Sequence, residues 1–371
     1  MRTTDVLIIG GGGIGCSIAY FLRKKQRDVV LLERGEIGGQ ASRAAAGLLA
    51  PLGPLSGPGP FADLVLAGFS SLSSLVPELE DSSGIRMIYE QTGALRTIRN
   101  PKRIPHLQKR LKSWQPLGLQ LYWLSGEEAR QCEPLLAPDI CAAIYAPEEA
   151  QIQASSVVQA FGRAAQLAGA QLYPHQEVSS ILTQNKRVTG VRTAQGETIA
   201  CEQLIIASGA WAAQCSAWLN IMLPITPLHG QMITLQQPAP RLKHIIFGEA
   251  AYITPKGDTL LVGATKEEMG FDTTITEKGS SWLYATATRL IPGLAEGKIQ
   301  AARAGLRPKT PDSHPIVDFL APWENVLVAA GHNSVGIILS AITGQCVAEM
   351  VMTGDTPSLM QPFGMKRFFT F

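Results

Sequence analysis

The run Gly10-x-Gly12-x-x-Gly15 limits what this chain can fold into more than any other stretch. A short apolar segment, Asp5 to Ile9, precedes it and reads as a parallel strand buried on both faces. Ile14 to Lys25 follows as a predicted helix, with Ile18, Phe21 and Leu22 at helical spacing. A second buried strand, Asp28 to Leu32, ends at Glu33. Strand, glycine turn, helix, strand and acid together predict a dinucleotide site. Gly10 permits the tight turn, Gly12 lets backbone approach a pyrophosphate, and Gly15 lets helix pack on strand. Unpaired N–H groups and the helix dipole attract the anion, and the Glu33 carboxylate accepts from ribose hydroxyls.

No second complete glycine fingerprint follows residue 33, which argues against a reductase that binds two nucleotides. Instead a long irregular segment, Gly35 to Pro60, begins with small residues through Leu49 that would wrap an extended flavin nucleotide. Further along, helices are predicted over Ala62 to Leu79, Lys102 to Leu117, Ser155 to Leu167 and Thr276 to Leu290, and another from the capping-box pair Ser125 and Glu128. Arg86 to Thr97 reads as a hairpin turning near Gln91 to Gly93. Short strands with turns at Asn185-Lys186 and Gln195-Gly196 fill Ala170 to Ala207, and residues 224–310 are strand-rich. A last buried strand, Val326 to Ala330, leads through Gly331 to a helix from about Gly336 to Met350. Nucleotide-domain strands thus stand at the start, middle and end of the chain, so two domains interleave.

At 371 residues, 46% of them hydrophobic and 17% charged, the chain buries a large core. A formal net charge of +2 gives no reason to expect nucleic acid as a partner, and the basic residues Lys102, Arg103, Lys109, Arg110 and Lys112 read as a solvated helix face. Six cysteines form no Cys-x-x-Cys and no metal-ligand spacing with His, which predicts reduced thiols in a reducing, cytoplasmic compartment. Val6 to Leu22 is broken by glycines and lacks a cleavage site, so it is not read as an export signal. Asn325 to Ala348 is long enough to span a bilayer, but its polar interruptions fit a buried strand and helix better, so no transmembrane segment is expected.

Seven blocks resemble the D-amino-acid oxidase superfamily, and within it the glycine oxidases of thiamine biosynthesis. They are Val6 to Gly15, Ala44 to Pro51, Ile205 to Trp211, Ala251 to Pro255, Leu261 to Thr265, Ala304 to Pro308 and Val328 to His332. They span nearly the whole chain in family order. The resemblance implies an α/β fold, α+β overall, in which a Rossmann-like FAD-binding domain (1–80, 145–220 and 300–371) interleaves with an antiparallel-sheet substrate domain (81–144 and 221–299). It implies FAD held by Gly10, Gly12, Gly13, Ile14, Gly15, Glu33, Arg34 and Ser42. Ala46, Gly47, Leu48, Val178, Ser208, Gly209 and Trp211 are expected to continue that site. So are Arg307, Gly331, His332, Asn333, Gly336 and Ile337. Sarcosine-oxidase relatives attach FAD through a cysteine where this chain has Gly305, so noncovalent FAD is expected.

The implied reaction oxidises a small amine to an imine, with hydride passing to flavin N5 and dioxygen reduced to hydrogen peroxide. Arg307 would pin the substrate carboxylate through two charge-assisted hydrogen bonds, and Tyr252 would bind the same group. The cofactor carries the hard step, so no Ser-His-Asp, Cys-His or paired-carboxylate constellation is needed, and none is legible in the sequence. The expected partners are a small amino acid or amine, dioxygen and a second copy of the chain. A dehydrogenase subunit that passes electrons to a partner or quinone is the second reading, and a flavoprotein that serves as a binding partner is the third. The chain departs from the family pattern at His229, Lys266, Ser334 and Ala341, which leaves the amine itself open.

Overall fold

The computed structural model describes residues 2–369. The first strand, Arg2–Ile9, lies inside a mixed sheet, paired in parallel with Thr198–Ile206 on one side and Val29–Leu32 on the other. The sheet extends through Val326–Ala330 to the antiparallel edge strand Ile316–Phe319, and in the other direction to Gln171–Tyr173. Val6 and Ile8 pack into a core shared with the helices Gly13–Lys24, Ala154–Leu167 and Ser340–Thr353, while Leu7 and Ile9 join a second core on the opposite face. Burial on both faces is why the strand shows no polar alternation. The meander Val178–Gln184 and Arg187–Thr193 hangs from Thr198–Ile206 and turns at Asn185-Lys186.

A second sheet is ordered Ile299–Lys309, Thr226–Gln236, Thr259–Gly263, Tyr252–Lys256, Ile245–Phe247, Ala94–Ile98, Ala142–Ala146, Tyr122–Ser125. Ile233, Ile253 and Val262 face a core closed by the helix Glu277–Leu290. Gln231 ties that helix down. Its amide donates to Thr276 O (2.9 Å) and Ser280 Oγ (2.6 Å) and accepts from Thr276 N (2.9 Å). The opposite face of this sheet carries Gly230, Met232, Tyr252, Gly263 and Arg307 and looks toward the first sheet.

Several expectations need correction. Arg86 to Thr97 is not a hairpin: Glu90 bridges Gln151, and Ala94–Ile98 pairs with Ala142–Ala146 and Ile245–Phe247. The pairing with Ile245–Phe247 is parallel, so the second sheet is not wholly antiparallel. A boundary at residue 300 falls at the start of the strand Ile299–Lys309, which belongs to the second sheet. The last long helix begins at Ser340, with residues 336–339 forming a turn before it. Among the described residues one helix, Pro60–Ser83, is long and apolar enough to cross a membrane by length and composition. Its Leu64, Val65, Leu72 and Leu79 are packed into the same core as the first helix.

The irregular segment after Leu49 is held by a buried ion pair. Arg96 Nη1 and Nη2 donate to Glu149 Oε2 and Oε1 at 2.6 and 2.8 Å. Glu149 Oε1 also accepts from Leu52 N (3.1 Å), and Trp114 Nε1 donates to Leu55 O (2.8 Å). Arg96 lies 5.3 Å from the Trp114 ring centre and 4.7 Å from that of Phe247. Removing one partner of such a pair strands a charge in the interior. Glu149→Ala is therefore expected to lower unfolding free energy by about 3–5 kcal/mol in denaturant titrations. The double replacement Arg96→Met, Glu149→Met is expected to lose less, because it leaves no stranded charge.

Candidate active site

Three parallel strands of the first sheet end side by side, at Ile9, Ile206 and Ala330. The turns beyond them open onto a cavity of about 870 Å³ roofed by the second sheet. Gly10 makes the first turn at φ +115°, and a Cβ there would lie 2.5 Å from the Ala207 carbonyl oxygen, so only glycine lets these two strand ends meet. The helix Gly13–Lys24 starts with no side-chain cap at Gly12 and no acid in its first turn, while Ser42 Oγ accepts from Gly13 N at 3.2 Å. A Cβ on Gly12 would meet only Ser42 Oγ, at 3.7 Å, so this backbone stands open to the cavity. Glu33 is fixed by Gly11 N (2.8 Å to Oε2) and Gly35 N (2.9 Å to Oε1). Its remaining lone pairs are left for hydroxyl donors. An open helix start beside an oriented carboxylate fits a dinucleotide such as FAD.

Gly10, Gly12, Gly13, Ile14, Glu33, Arg34 and Ser42 all line the cavity. Arg34 stacks 3.7 Å from the Trp211 ring centre, on the same wall as Val178, Ser208 and Gly209. Ala46, Gly47 and Leu48 form the wall where the short helix Ala41–Ala44 meets the strand Leu48–Leu49. His332, Asn333, Gly336 and Ile337 line it after the last strand, and Asn333 N donates to Pro308 O at 3.0 Å, joining that turn to the roof. Two expected contacts lie off the wall. Gly15 packs against the Gly10 carbonyl, and Gly331 packs against Thr310 and Ile316.

Arg307 and Tyr252 come together on the roof. Arg307 Nη1 donates to Thr265 O at 3.1 Å and His229 O at 3.5 Å, and no carboxylate among the described residues pairs with it. Burial lowers the Arg307 pKa, opposed by the neighbouring Tyr252. Burial pushes the Tyr252 phenol up to about 12, opposed by Arg307 and Arg303, so it is a neutral donor at physiological pH. Its hydroxyl lies 3.0 Å from Met232 Sδ. A Cβ at Gly230 would collide with the Arg307 guanidinium, and one at Gly263 with the Tyr252 ring. These two glycines are the signal that sequence reading passed over: each vacates the space that a site residue lies across.

Lys266 lines the same roof, one residue past the carbonyl that holds Arg307. Of its neighbours, Glu268 pairs with Lys309 (2.8 Å), while Glu267 Oε2 lies 3.3 Å from His229 Nδ1 without a hydrogen bond. Arg110, expected on a solvated face, is half-buried on the cavity rim, 4.3 Å from the Trp114 ring centre. The spacing of Arg110 and Trp114, one helical turn apart, was the available cue. His332 is buried, with Nε2 3.1 Å from Thr343 Oγ1. All six cysteines are free thiols, and no cluster among the described residues has the makings of a metal site.

An FAD-binding oxidoreductase is the class that this fold and cavity define. The family model for FAD dependent oxidoreductases (DAO) matches residues 5–350, and the chain belongs to that family. It is 34% identical over 366 residues to the glycine oxidase of Geobacillus kaustophilus, covering 98% of this chain and 97% of that one. The crystal structure of glycine oxidase from Geobacillus kaustophilus superposes with a TM-score of 0.95 at 32% identity, covering all of both chains. The hydrogen cyanide synthase subunit HcnC of Pseudomonas aeruginosa is 29% identical over 403 residues, covering 99% of this chain and 97% of that one. The protein is thus an FAD-dependent oxidoreductase of glycine-oxidase type.

Burial drops the His332 pKa from 6.5 to about 3, so the folded chain keeps this ring neutral where the unfolded chain protonates it. Its contribution to stability is whole above pH 6.5 and is lost as pH falls from 6.5 toward 3, at about 1.4 kcal/mol per pH unit. Denaturant unfolding of the flavin-free protein between pH 7 and pH 4 is expected to show this slope, and His332→Asn to flatten it.

Proposed function

We propose that the protein oxidises glycine or another small primary or secondary amine to its imine, with dioxygen taking the electrons to give hydrogen peroxide. The observation that carries this reading is the Arg307 guanidinium, partly buried on the cavity roof and paired with no carboxylate among the described residues. A cation removed from water without a counter-charge favours an anionic ligand. The substrate carboxylate fits there, with the neutral Tyr252 hydroxyl as a second donor. FAD, when bound, supplies the acceptor for the hydride that leaves the substrate α-carbon. Arg307 and Tyr252 then hold the carboxylate so that this carbon is presented to the floor of the cavity, and the roof excludes water. The same cavity would hold FAD noncovalently through the glycine turn, Glu33 and the wall from Ala46 to Leu48. The full-length similarity to glycine oxidase supports this choice of substrate class.

Anaerobic addition of glycine is expected to bleach the flavin absorbance, and air to restore it rapidly with release of peroxide. Bleaching followed by slow reoxidation would replace dioxygen with a partner protein or quinone as acceptor. No bleaching by any amine would end the proposal. Arg307→Ala is expected to raise KM for carboxylate substrates by about 30- to 1,000-fold, equivalent to about 2–4 kcal/mol, while FAD stays bound.

Lys266, exposed on the cavity lining one residue past the carbonyl that binds Arg307, offers a second cation, which favours amines that bear two carboxylates. Lys266→Met is expected to raise KM for iminodiacetate about tenfold relative to glycine, checked by steady-state kinetics on both substrates.

A further inference from the structure

Away from the cavity, on the second sheet, three side chains form an ordered relay. Cys132 ends the helix Gly126–Cys132, and the next residue, Glu133, is buried. Glu133 Oε2 accepts from the backbone N–H groups of Lys243 (3.0 Å) and His244 (3.3 Å), and lies 3.1 Å from His244 Nδ1. An oxygen that already accepts from two backbone N–H groups is the acceptor toward the ring as well, so Nδ1 is the donor and carries a proton. In the neutral ring the lone pair then belongs to Nε2. That nitrogen lies 3.8 Å from Cys132 Sγ, so the thiol is the donor and the imidazole the acceptor. Tyr145 meets the His244 ring edge-on, with centres 5.6 Å apart at 88°, and holds its orientation. None of these four residues lines the flavin cavity.

We propose that Cys132, His244 and Glu133 form a separate modification site, in which His244 activates the Cys132 thiol toward hydrogen peroxide. The order is nucleophile, base and orienting carboxylate, the arrangement by which positioned imidazoles activate thiols and hydroxyls in general. Burial and the Glu133 charge push the Cys132 thiol up, with Lys243 opposing, so a bare thiolate is disfavoured and a base in contact is required. Cys132 is partly exposed, which admits a molecule as small as peroxide. The sulfur attacks one peroxide oxygen, the O–O bond breaks, and the thiol proton passes to His244 Nε2. The departing hydroxide takes that proton back and leaves as water. Sulfur is oxidised by two electrons to sulfenic acid and peroxide is reduced by two, so thiol and peroxide give sulfenic acid and water.

Cys141 supplies an internal control. It is also partly exposed, but its Sγ donates to the Ile98 carbonyl at 3.1 Å and has no base beside it. The FAD-loaded protein is treated with added hydrogen peroxide, trapped with dimedone and mapped by peptide mass spectrometry. Cys132 is expected to be trapped at least tenfold faster than Cys141. His244→Gln is expected to slow Cys132 about tenfold and leave Cys141 unchanged. Equal rates at the two cysteines of the unaltered chain would overturn the proposal without recourse to any variant. So would a His244→Gln protein that retains bound FAD and is trapped at Cys132 at the full rate. Because the peroxide is added, the result stands apart from whether any amine is oxidised.

Discussion

The parallel register of four strands is the constraint on which the rest depends. Arg2–Ile9 lies between Val29–Leu32 and Thr198–Ile206, and Thr198–Ile206 in turn pairs with Val326–Ala330. Residues more than three hundred positions apart in the chain therefore finish at one edge of one sheet. Parallel strands place their carboxyl ends together, and a ligand that binds beyond those ends meets turns from every strand at once. Gly10, Ala207 and Gly331 stand at those ends, and the close approach of Gly10 to the Ala207 carbonyl shows how little slack the register leaves.

The second sheet completes what the first begins. On its inner face Gly230 leaves room for the Arg307 guanidinium and Gly263 for the Tyr252 ring, each in space that a Cβ would fill. Cations outnumber unpaired carboxylates on this face: Glu249 is engaged by Arg103 at 2.7 Å and Asp312 by Arg367 at 2.7 Å, while Arg307 and Lys266 have no such partner among the described residues. The roof is thus poised for an anion before any ligand arrives.

The nucleotide-binding turn was legible because its physics is local: strand, glycines, helix and acid all fall within thirty residues. The substrate side was legible only through family resemblance, since Arg307 and Tyr252 meet across strands that no short-range pattern connects. The hairpin expected at 86–97 failed for the same reason. Its apolar residues do form a strand, but the partners come from residues 142–146 and 245–247. Arg110 was misplaced because an amphipathic pattern tells which face is polar and not what lies opposite. Cys132 and His244 carried no spacing signal at all, being brought together by a helix end and a distant loop.

The cavity draws its walls from segments more than three hundred residues apart: the glycine turn at Gly10 to Gly13, and the turn that carries Asn333, Gly336 and Ile337. During synthesis, which proceeds from the amino end, the opening helix emerges long before its final sheet neighbour exists. A nascent chain therefore has no enclosed chamber to offer until residues 333–337 have left the ribosome. Capture of the prosthetic group is a closing event in maturation, and a shortened message yields a product that lacks one side of the container.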